Sequence, residues 1–145
     1  MTKYIKISDL SNQYLKIRSK ILYSFKNILN SSKYINGSEV QQLEKNLKKR
    51  FATKDVITCG NGTDAIQIAI MSFNLERGSE IIMPSFSYIS TIETVTLLGF
   101  KAVLIDVDPV TFNIDISKIN SLITKKTKII IPVHLYGQNS DMEKI

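Results

Sequence analysis

The stretch TCGNGTDA, residues 58–65, separates a short apolar run, VIT (56–58), from a run with helical spacing, AIQIAIMSF (65–73). Its small residues predict a tight turn that joins a strand to a helix. The first N–H groups of a helix have no partners within the helix, and the helix dipole adds positive charge there. The stretch therefore predicts an anion site with phosphate as the usual ligand, although a ligand-free turn capped by Thr63 or Asp64 explains it equally well.

Short apolar runs recur after residue 55 and alternate with segments of helical spacing. The runs are VIT (56–58), IIM (81–83), AVLIDV (102–107) and KIIIPV (128–133), and the helical segments cover 64–74, 88–98 and 116–124. Apolar runs without alternation are typical of strands that are covered on both faces. We therefore predict an α/β fold with a mostly parallel sheet and flanking helices.

The beginning of the chain has a different period. Apolar residues at steps of three and four form one stripe over residues 10–29 and a second over 40–51, separated by SSKYINGSE (31–39). Both stripes predict helices. We therefore expect an N-terminal helical segment over 1–54, packed outside the sheet, and an α/β domain over 55–145.

Composition excludes several classes of function. The formal charge of +6 comes largely from KNLKKR (45–50) and KKTK (125–128), which we interpret as solvated surface because no aromatic residues interleave the lysines. Cys59 is the only cysteine and His134 the only histidine, so we expect neither a disulfide nor a metal site. No signal-peptide core or membrane-length apolar run is present. We expect a cytoplasmic protein that binds neither nucleic acid nor membrane.

Two further features bear on the glycine turn. Gly60, Gly62 and Ala65 fit a loose dinucleotide-binding pattern. However, two predicted helices precede the turn, and the nearest acid, Glu80, begins the second strand, at the wrong edge of the sheet.

The second strand leaves through PSFSYIST (84–91), and neighbouring parallel strands end at the same edge. Tyr88 is therefore expected to face the turn, where an aromatic ring suits a flat phosphorylated cofactor; the alternative is a core aromatic beneath a helix.

Five segments, in this order, resemble the DegT/DnrJ/EryC1/StrS family of sugar aminotransferases, which are fold-type I enzymes that use pyridoxal 5′-phosphate. They are SKYINGSEVQQLE (32–44), CGNGTDAIQIAI (59–70), GSEIIMPSFSYISTIETV (78–95), DVDPVTFNID (106–115) and KIIIPVHLYGQNSDM (128–142). The resemblance implies that Gly62 and Thr63, with the backbone of Asp64 close by, bind the cofactor phosphate. It also implies that Tyr88 stacks on the pyridine ring. We interpret His134 as a hydrogen-bonded structural residue, and Asp106 and Asp108 as turn and capping residues.

The resemblance also shows what these 145 residues lack. In the family, an aspartate that pairs with the pyridine nitrogen and then the Schiff-base lysine follow the PVHLYGQ segment, where this sequence has only Asp141 and Lys144 in a different context. We therefore assign no catalytic residue here. We expect the N-terminal part of the large domain of a longer enzyme, inactive by itself.

The implied substrates are a nucleotide-linked keto sugar and an amino donor, typically glutamate, and the implied assembly is a homodimer. The pathway would be amino-sugar biosynthesis for surface polysaccharide or related glycoconjugates. Two alternatives remain open. One is a sugar dehydratase relative with histidine in place of the lysine, and the other is a nucleotide-binding α/β module.

Overall fold

The computed structural model describes residues 7–145, which form two compact units, one ending at Thr58 and the other spanning Cys59–Ile145. Residues 1–6, which belong to the predicted helical segment 1–54, lie outside the described residues. The domain boundary after residue 54 stays a prediction. Among the described helices, none combines the length and the apolar character needed to cross a membrane.

The first unit contains helices α1 (Leu10–Ser31) and α2 (Ser38–Phe51), as the two apolar stripes predicted. α2 begins after Gly37, where a Cβ would lie 2.8 Å from the carbonyl oxygen of Lys33, so glycine is the residue that fits. The basic residues Lys48, Lys49 and Arg50 occupy its last turn and are exposed. This confirms the interpretation of this basic run as solvated helix surface, and cations at this end also complement the helix dipole.

The predicted strand over 56–58 is wrong. The backbone has no regular structure there, and the side chain of Ile57 is 83% exposed. Thr58 donates its N–H and its hydroxyl to Oε1 of Glu44, over 3.0 and 2.9 Å. A strand requires neighbouring backbone to complete its hydrogen bonds, whereas here a side chain of α2 satisfies Thr58. The glycine turn therefore follows an irregular segment.

The second unit is built on the predicted parallel sheet. It has three strands in the order β2-β1-β3, with β1 (Glu80–Pro84) in the centre, β2 (Lys101–Ile105) and β3 (Thr127–Ile130). Ile82 is level with Val103 on one side and with Ile130 on the other. Every residue of β1 is buried, because this strand has a neighbour on each side and helices over both faces.

Helices cover the two faces of the sheet: α3 (Gly62–Met71) and α4 (Ser90–Leu97) on one, α5 (Ile116–Leu122) on the other. Alternate residues of β1 point into the two layers. Ile81 and Met83 pack with Ile70 of α3 and Val95 of α4. Ile82 belongs to the opposite core, formed with Ile105, Ile114 and Ile119.

The chain order creates a crevice at the carboxyl ends of the strands. The connection from β1 to β2 runs through α4 on one face, whereas the connection from β2 to β3 runs through α5 on the other and crosses to the far side of β1. The loops that leave β1 (85–89) and β2 (106–115) therefore diverge. In open α/β sheets, ligands bind in the crevice formed at such a point, and we call it the carboxyl-end crevice.

Glu80 lies at the opposite, amino end of β1. Its Oε2 accepts a hydrogen bond from the hydroxyl of Thr124 (2.6 Å), and its Oε1 accepts one from Nζ of Lys101 (2.9 Å). These bonds hold the pKa of the Glu80 carboxyl below its ordinary value, although burial opposes them. Glu80 is thus a structural anchor between the first residues of the strands, far from the crevice, as expected for an acid at the wrong edge for a dinucleotide.

Acid is expected to weaken the fold through Glu80. Because its folded-state pKa is depressed, its contribution is complete above the ordinary glutamate pKa of about 4.3 and is lost as pH falls through the lowered value. Urea unfolding of Glu80→Gln is therefore expected to show a shallower loss of stability than the unsubstituted protein between about pH 5 and pH 3. Glu76→Gln, at an exposed glutamate nearby, is the control. Equal acid slopes for Glu80→Gln and the unsubstituted protein would contradict the anchor role.

Candidate phosphate and cofactor site

Two reciprocal hydrogen bonds between Asn61 and Asp64, which we call the Asn61–Asp64 lock, hold the glycine turn. Oδ1 of Asn61, the N-cap of α3, accepts the N–H of Asp64 (2.9 Å), and Nδ2 of Asn61 donates to Oδ2 of Asp64 (3.0 Å). An N-cap amide with an acid three residues later is a variant of the capping box. Sequence reasoning proposed Thr63 or Asp64 as the cap and missed Asn61, although this N-x-x-D spacing was a signal for it.

The lock leaves two amides of the turn open to a ligand. The N–H of Asp64 is used by Asn61, and the N–H of Ala65 donates to the carbonyl oxygen of Asn61 (3.1 Å). Within residues 7–145, the N–H groups of Gly62 and Thr63 and the hydroxyl of Thr63 have no hydrogen-bond partner. These donors lie at the positive end of a ten-residue helix.

Gly62 itself has no local need to be glycine. A Cβ at this position would meet no atom within 4 Å, and its φ is not in the left-handed region. Neither packing nor backbone conformation therefore explains the missing side chain. Close approach of a ligand such as phosphate to the backbone would require a residue without a side chain, and the space around Gly62 is open.

Gly60 and Asp64 shape the same turn. A Cβ at Gly60 would lie 2.9 Å from Oδ2 of Asp64, so glycine allows the carboxylate to fold back toward Asn61. Asp64 is half-buried and its backbone donor is already occupied. Its role in the geometry is therefore to fix the turn, and the donors for an anion belong to Gly62 and Thr63.

Tyr88 lies in the loop that leaves β1, two residues before α4 begins, and its side chain is 76% exposed. The alternative of a core aromatic is wrong. α3 and α4 pack against each other, and Ile70 in the last turn of α3 belongs to the same core as Val95 of α4 and Ile81 of β1. That Tyr88 faces the glycine turn stays a prediction.

The other polar residues singled out in the sequence are structural. Nδ1 of His134 accepts the N–H of Ser140 (3.0 Å), which confirms the hydrogen-bonded interpretation of His134. Oδ1 of Asp108 accepts the N–H groups of Val110 and Thr111 (3.0 and 2.7 Å), which confirms it as a turn residue. Asp106 differs from the prediction.

Instead of capping a turn, Asp106 pairs with Nζ of Lys118 at 3.1 Å. Asp141 and Lys144 form an ion pair at 2.6 Å, which lowers the pKa of the aspartate and raises the pKa of the lysine. Both side chains of this second pair are exposed.

Known proteins resemble this chain over most of its length. The model of the DegT/DnrJ/EryC1/StrS aminotransferase family matches residues 15–145. The chain is 45% identical over 141 residues to UDP-2-acetamido-2-deoxy-3-oxo-D-glucuronate aminotransferase of Pseudomonas aeruginosa, covering 97% of this chain and 39% of that protein. It is 40% identical over 125 residues to 3-oxo-glucose-6-phosphate:glutamate aminotransferase of Bacillus subtilis, covering 86% of this chain and 28% of that protein.

A solved structure extends the likeness to three dimensions. NtdA from Bacillus subtilis with bound cofactor PMP superposes with a TM-score of 0.88 at 36% identity, covering 99% of this chain and 34% of that chain. This chain therefore spans between 28% and 39% of the lengths of these three relatives. The match over residues 15–145 and these identities establish that the chain belongs to the DegT/DnrJ/EryC1/StrS aminotransferase family.

Proposed function

We propose that the protein is a pyridoxal-phosphate-dependent aminotransferase of nucleotide-linked keto sugars, in amino-sugar biosynthesis for surface polysaccharide or related glycoconjugates. The observation that carries the proposal is the 45% identity, over 97% of this chain, to an aminotransferase of a UDP-linked 3-oxo sugar. When bound, pyridoxal phosphate supplies the group that carries the amino nitrogen and accepts electrons during the transfer. The described residues form part of its binding site.

The glycine turn is proposed to bind the cofactor phosphate. The N–H groups of Gly62 and Thr63 donate to phosphate oxygens, and the Thr63 hydroxyl adds a third donor. The Asn61–Asp64 lock fixes these donors before the ligand arrives, so that little conformational entropy is lost on binding. The open space at Gly62 supports this assignment. The Asp64 carboxylate keeps its place because Gly60 leaves room for it.

Tyr88 is proposed to cover one face of the cofactor ring. Its exposure in the loop leaving β1 supports this role, because a ring on the surface of a crevice is available for stacking. No residue of the 145 is proposed as the lysine or the aspartate of the reaction, since Asp141 and Lys144 stand in a different sequence context from those two residues of the family. Glutamate as amino donor, a homodimer and a cytoplasmic location belong to the same proposal.

The stacking role predicts a specific order of effects at Tyr88. Tyr88→Ala removes the ring and is expected to weaken pyridoxal phosphate binding by about 0.5–1.5 kcal/mol, or about 2- to 12-fold. Tyr88→Phe keeps the ring and is expected to change binding little. Fluorescence titration of each variant measures the dissociation constant. If the two variants bind equally poorly, the hydroxyl and not the ring makes the contact.

The function is tested with the whole protein, pyridoxal phosphate and UDP-linked and dTDP-linked 3-keto and 4-keto sugars. We expect glutamate-dependent formation of an amino sugar together with 2-oxoglutarate, which mass spectrometry and a coupled assay detect. Residues 1–145 assayed alone are expected to transfer no amino group. Loss of water from the sugar without amino transfer would favour a dehydratase. Binding of nucleotides without pyridoxal phosphate would favour the nucleotide-binding module.

A further inference from the structure

Asn113, in the loop that leaves β2, is a buried polar residue whose side-chain bonds all reach a distant part of the chain. Its Nδ2 donates to the carbonyl oxygens of Gln138 (3.3 Å) and Asn139 (3.1 Å), and its Oδ1 accepts the N–H of Leu135 (3.4 Å). The residue is 7% exposed. A buried amide with backbone partners for both its ends fixes that backbone in one arrangement, because any other leaves polar groups unsatisfied.

The segment it holds, the loop 133–140, follows β3 and is tightly bonded within itself. Ser140 donates its N–H to Nδ1 of His134 (3.0 Å) and its hydroxyl to the carbonyl oxygen of Val133 (3.2 Å). Tyr136 has a φ of 52°, in the left-handed region that bulky residues seldom occupy. A conformation of this kind persists where surrounding contacts hold it, and Asn113 supplies three of them.

Phe112, next to Asn113, makes the connection in the other direction. Its ring lies 5.8 Å, centroid to centroid, from the ring of Phe86 in the loop that carries Tyr88. Phe112 also has a left-handed φ, 57°, and its N–H donates to the carbonyl oxygen of Asp108 (2.8 Å). The pair Phe112–Asn113 therefore joins the loops that leave all three strands, at the carboxyl edge where ligands of such sheets bind.

We propose that Asn113 is a positioning residue of the carboxyl-end crevice, which holds the loop 133–140 in the arrangement that cofactor binding requires. The proposal rests on the proposed function, because it assigns the loop to the cofactor site. Asn113 does not contact the cofactor. It acts through the backbone of residues 135–139.

The test replaces Asn113 by aspartate, which has the same shape. Oδ1 still accepts from Leu135, but an ionised carboxylate then faces the carbonyl oxygens of Gln138 and Asn139 and cannot donate to them. Asp108, Asp115 and Asp141 line the same cavity of about 390 Å³. Lys118 pairs with Asp115 at 3.3 Å, and Lys144 pairs with Asp141 at 2.6 Å. Ionisation at position 113 is therefore opposed by burial and by the carbonyl oxygens of Gln138 and Asn139, so the weakening of cofactor binding in the variant is expected to depend on pH.

In the whole protein, Asn113→Asp is expected to bind pyridoxal phosphate about tenfold more weakly than the unsubstituted protein at pH 8, and less than about threefold more weakly at pH 5.5. Hydrogen exchange at the N–H groups of Leu135 and Ser140 is expected to accelerate in parallel. The N–H of Ile131, which donates to Ile82 in the sheet, should stay protected. Asn120→Asp, at an exposed asparagine of α5, is the matched control and should change neither quantity.

Asn113→Ser serves as a second variant in case the aspartate variant fails to fold. It removes bonds without adding charge, so its weaker binding should not vary with pH. Faster exchange in the loop with unchanged cofactor binding would overturn the positioning role, and so would unchanged exchange. If the unsubstituted protein itself fails to bind pyridoxal phosphate, the proposed function is wrong and the role of Asn113 falls with it.

Discussion

Replacement of Gly62 by leucine is expected to weaken binding of pyridoxal phosphate by about 10- to 100-fold while leaving the fold intact. The side chain would project into the open space around Gly62, whose N–H is one of the proposed phosphate donors. One hydrogen bond to a charged group contributes about 1.5–3 kcal/mol, which corresponds to this range of affinity. The fold should survive because no protein atom lies within 4 Å of a Cβ at this position and its φ is not left-handed.

Ala65→Leu is the matched control for this prediction. It adds nearly the same bulk to an exposed position of the same helix, but there the N–H already donates to the carbonyl oxygen of Asn61. Fluorescence titration with pyridoxal phosphate, and its competition by inorganic phosphate, measures binding, and thermal unfolding checks the fold. Binding by Gly62→Leu as tight as that of the unsubstituted protein would show that the phosphate lies elsewhere. Equal losses for Gly62→Leu and Ala65→Leu would point to general disturbance of α3.

Truncation of Ile81 to alanine is expected to lower the free energy of unfolding by about 2–5 kcal/mol. Ile81 is fully buried in the central strand and packs in the layer with Ile70 and Val95, so its loss leaves a cavity beneath both α3 and α4. Leu97→Ala, at an 82% exposed position of α4, should stay within about 0.5 kcal/mol of the parent. Urea denaturation measures both changes. A loss below about 1 kcal/mol for Ile81→Ala would mean that the two helices close over the cavity.

Truncation of Ile81 is also expected to affect the candidate site. The glycine turn opens α3, and Tyr88 precedes α4, so the layer that contains Ile81 supports both elements that carry the proposed cofactor contacts. A destabilised variant that still folds is therefore expected to bind pyridoxal phosphate less tightly, because the two elements are held less rigidly relative to each other.

Short-range sequence patterns predicted three kinds of element: helices with an apolar face, a strand that is buried along its whole length, and a tight turn. The stripes of α1 and α2 were visible because side chains three and four residues apart share a helix face. β1 was visible because a central strand of a parallel sheet is apolar along its whole length, as Ile81, Ile82 and Met83 are. The turn at 59–64 was visible because glycine and small polar residues have specific conformational roles.

The tertiary structure decided what depends on partners far away in the sequence. VIT (56–58) has the composition of a strand, but Thr58 bonds to Glu44 and the run has no neighbouring strand among the described residues. The sequence allowed Tyr88 either to face the glycine turn or to lie in the core beneath a helix, and its 76% exposure is inconsistent with the core position.

Asn113 carried no local signal at all, since its partners lie 22 to 26 residues further along the chain. A sequence specifies periodicity and turn chemistry directly, because these act between residues within a few positions of each other. It specifies hydrogen bonds of this kind only through the fold that brings the groups together.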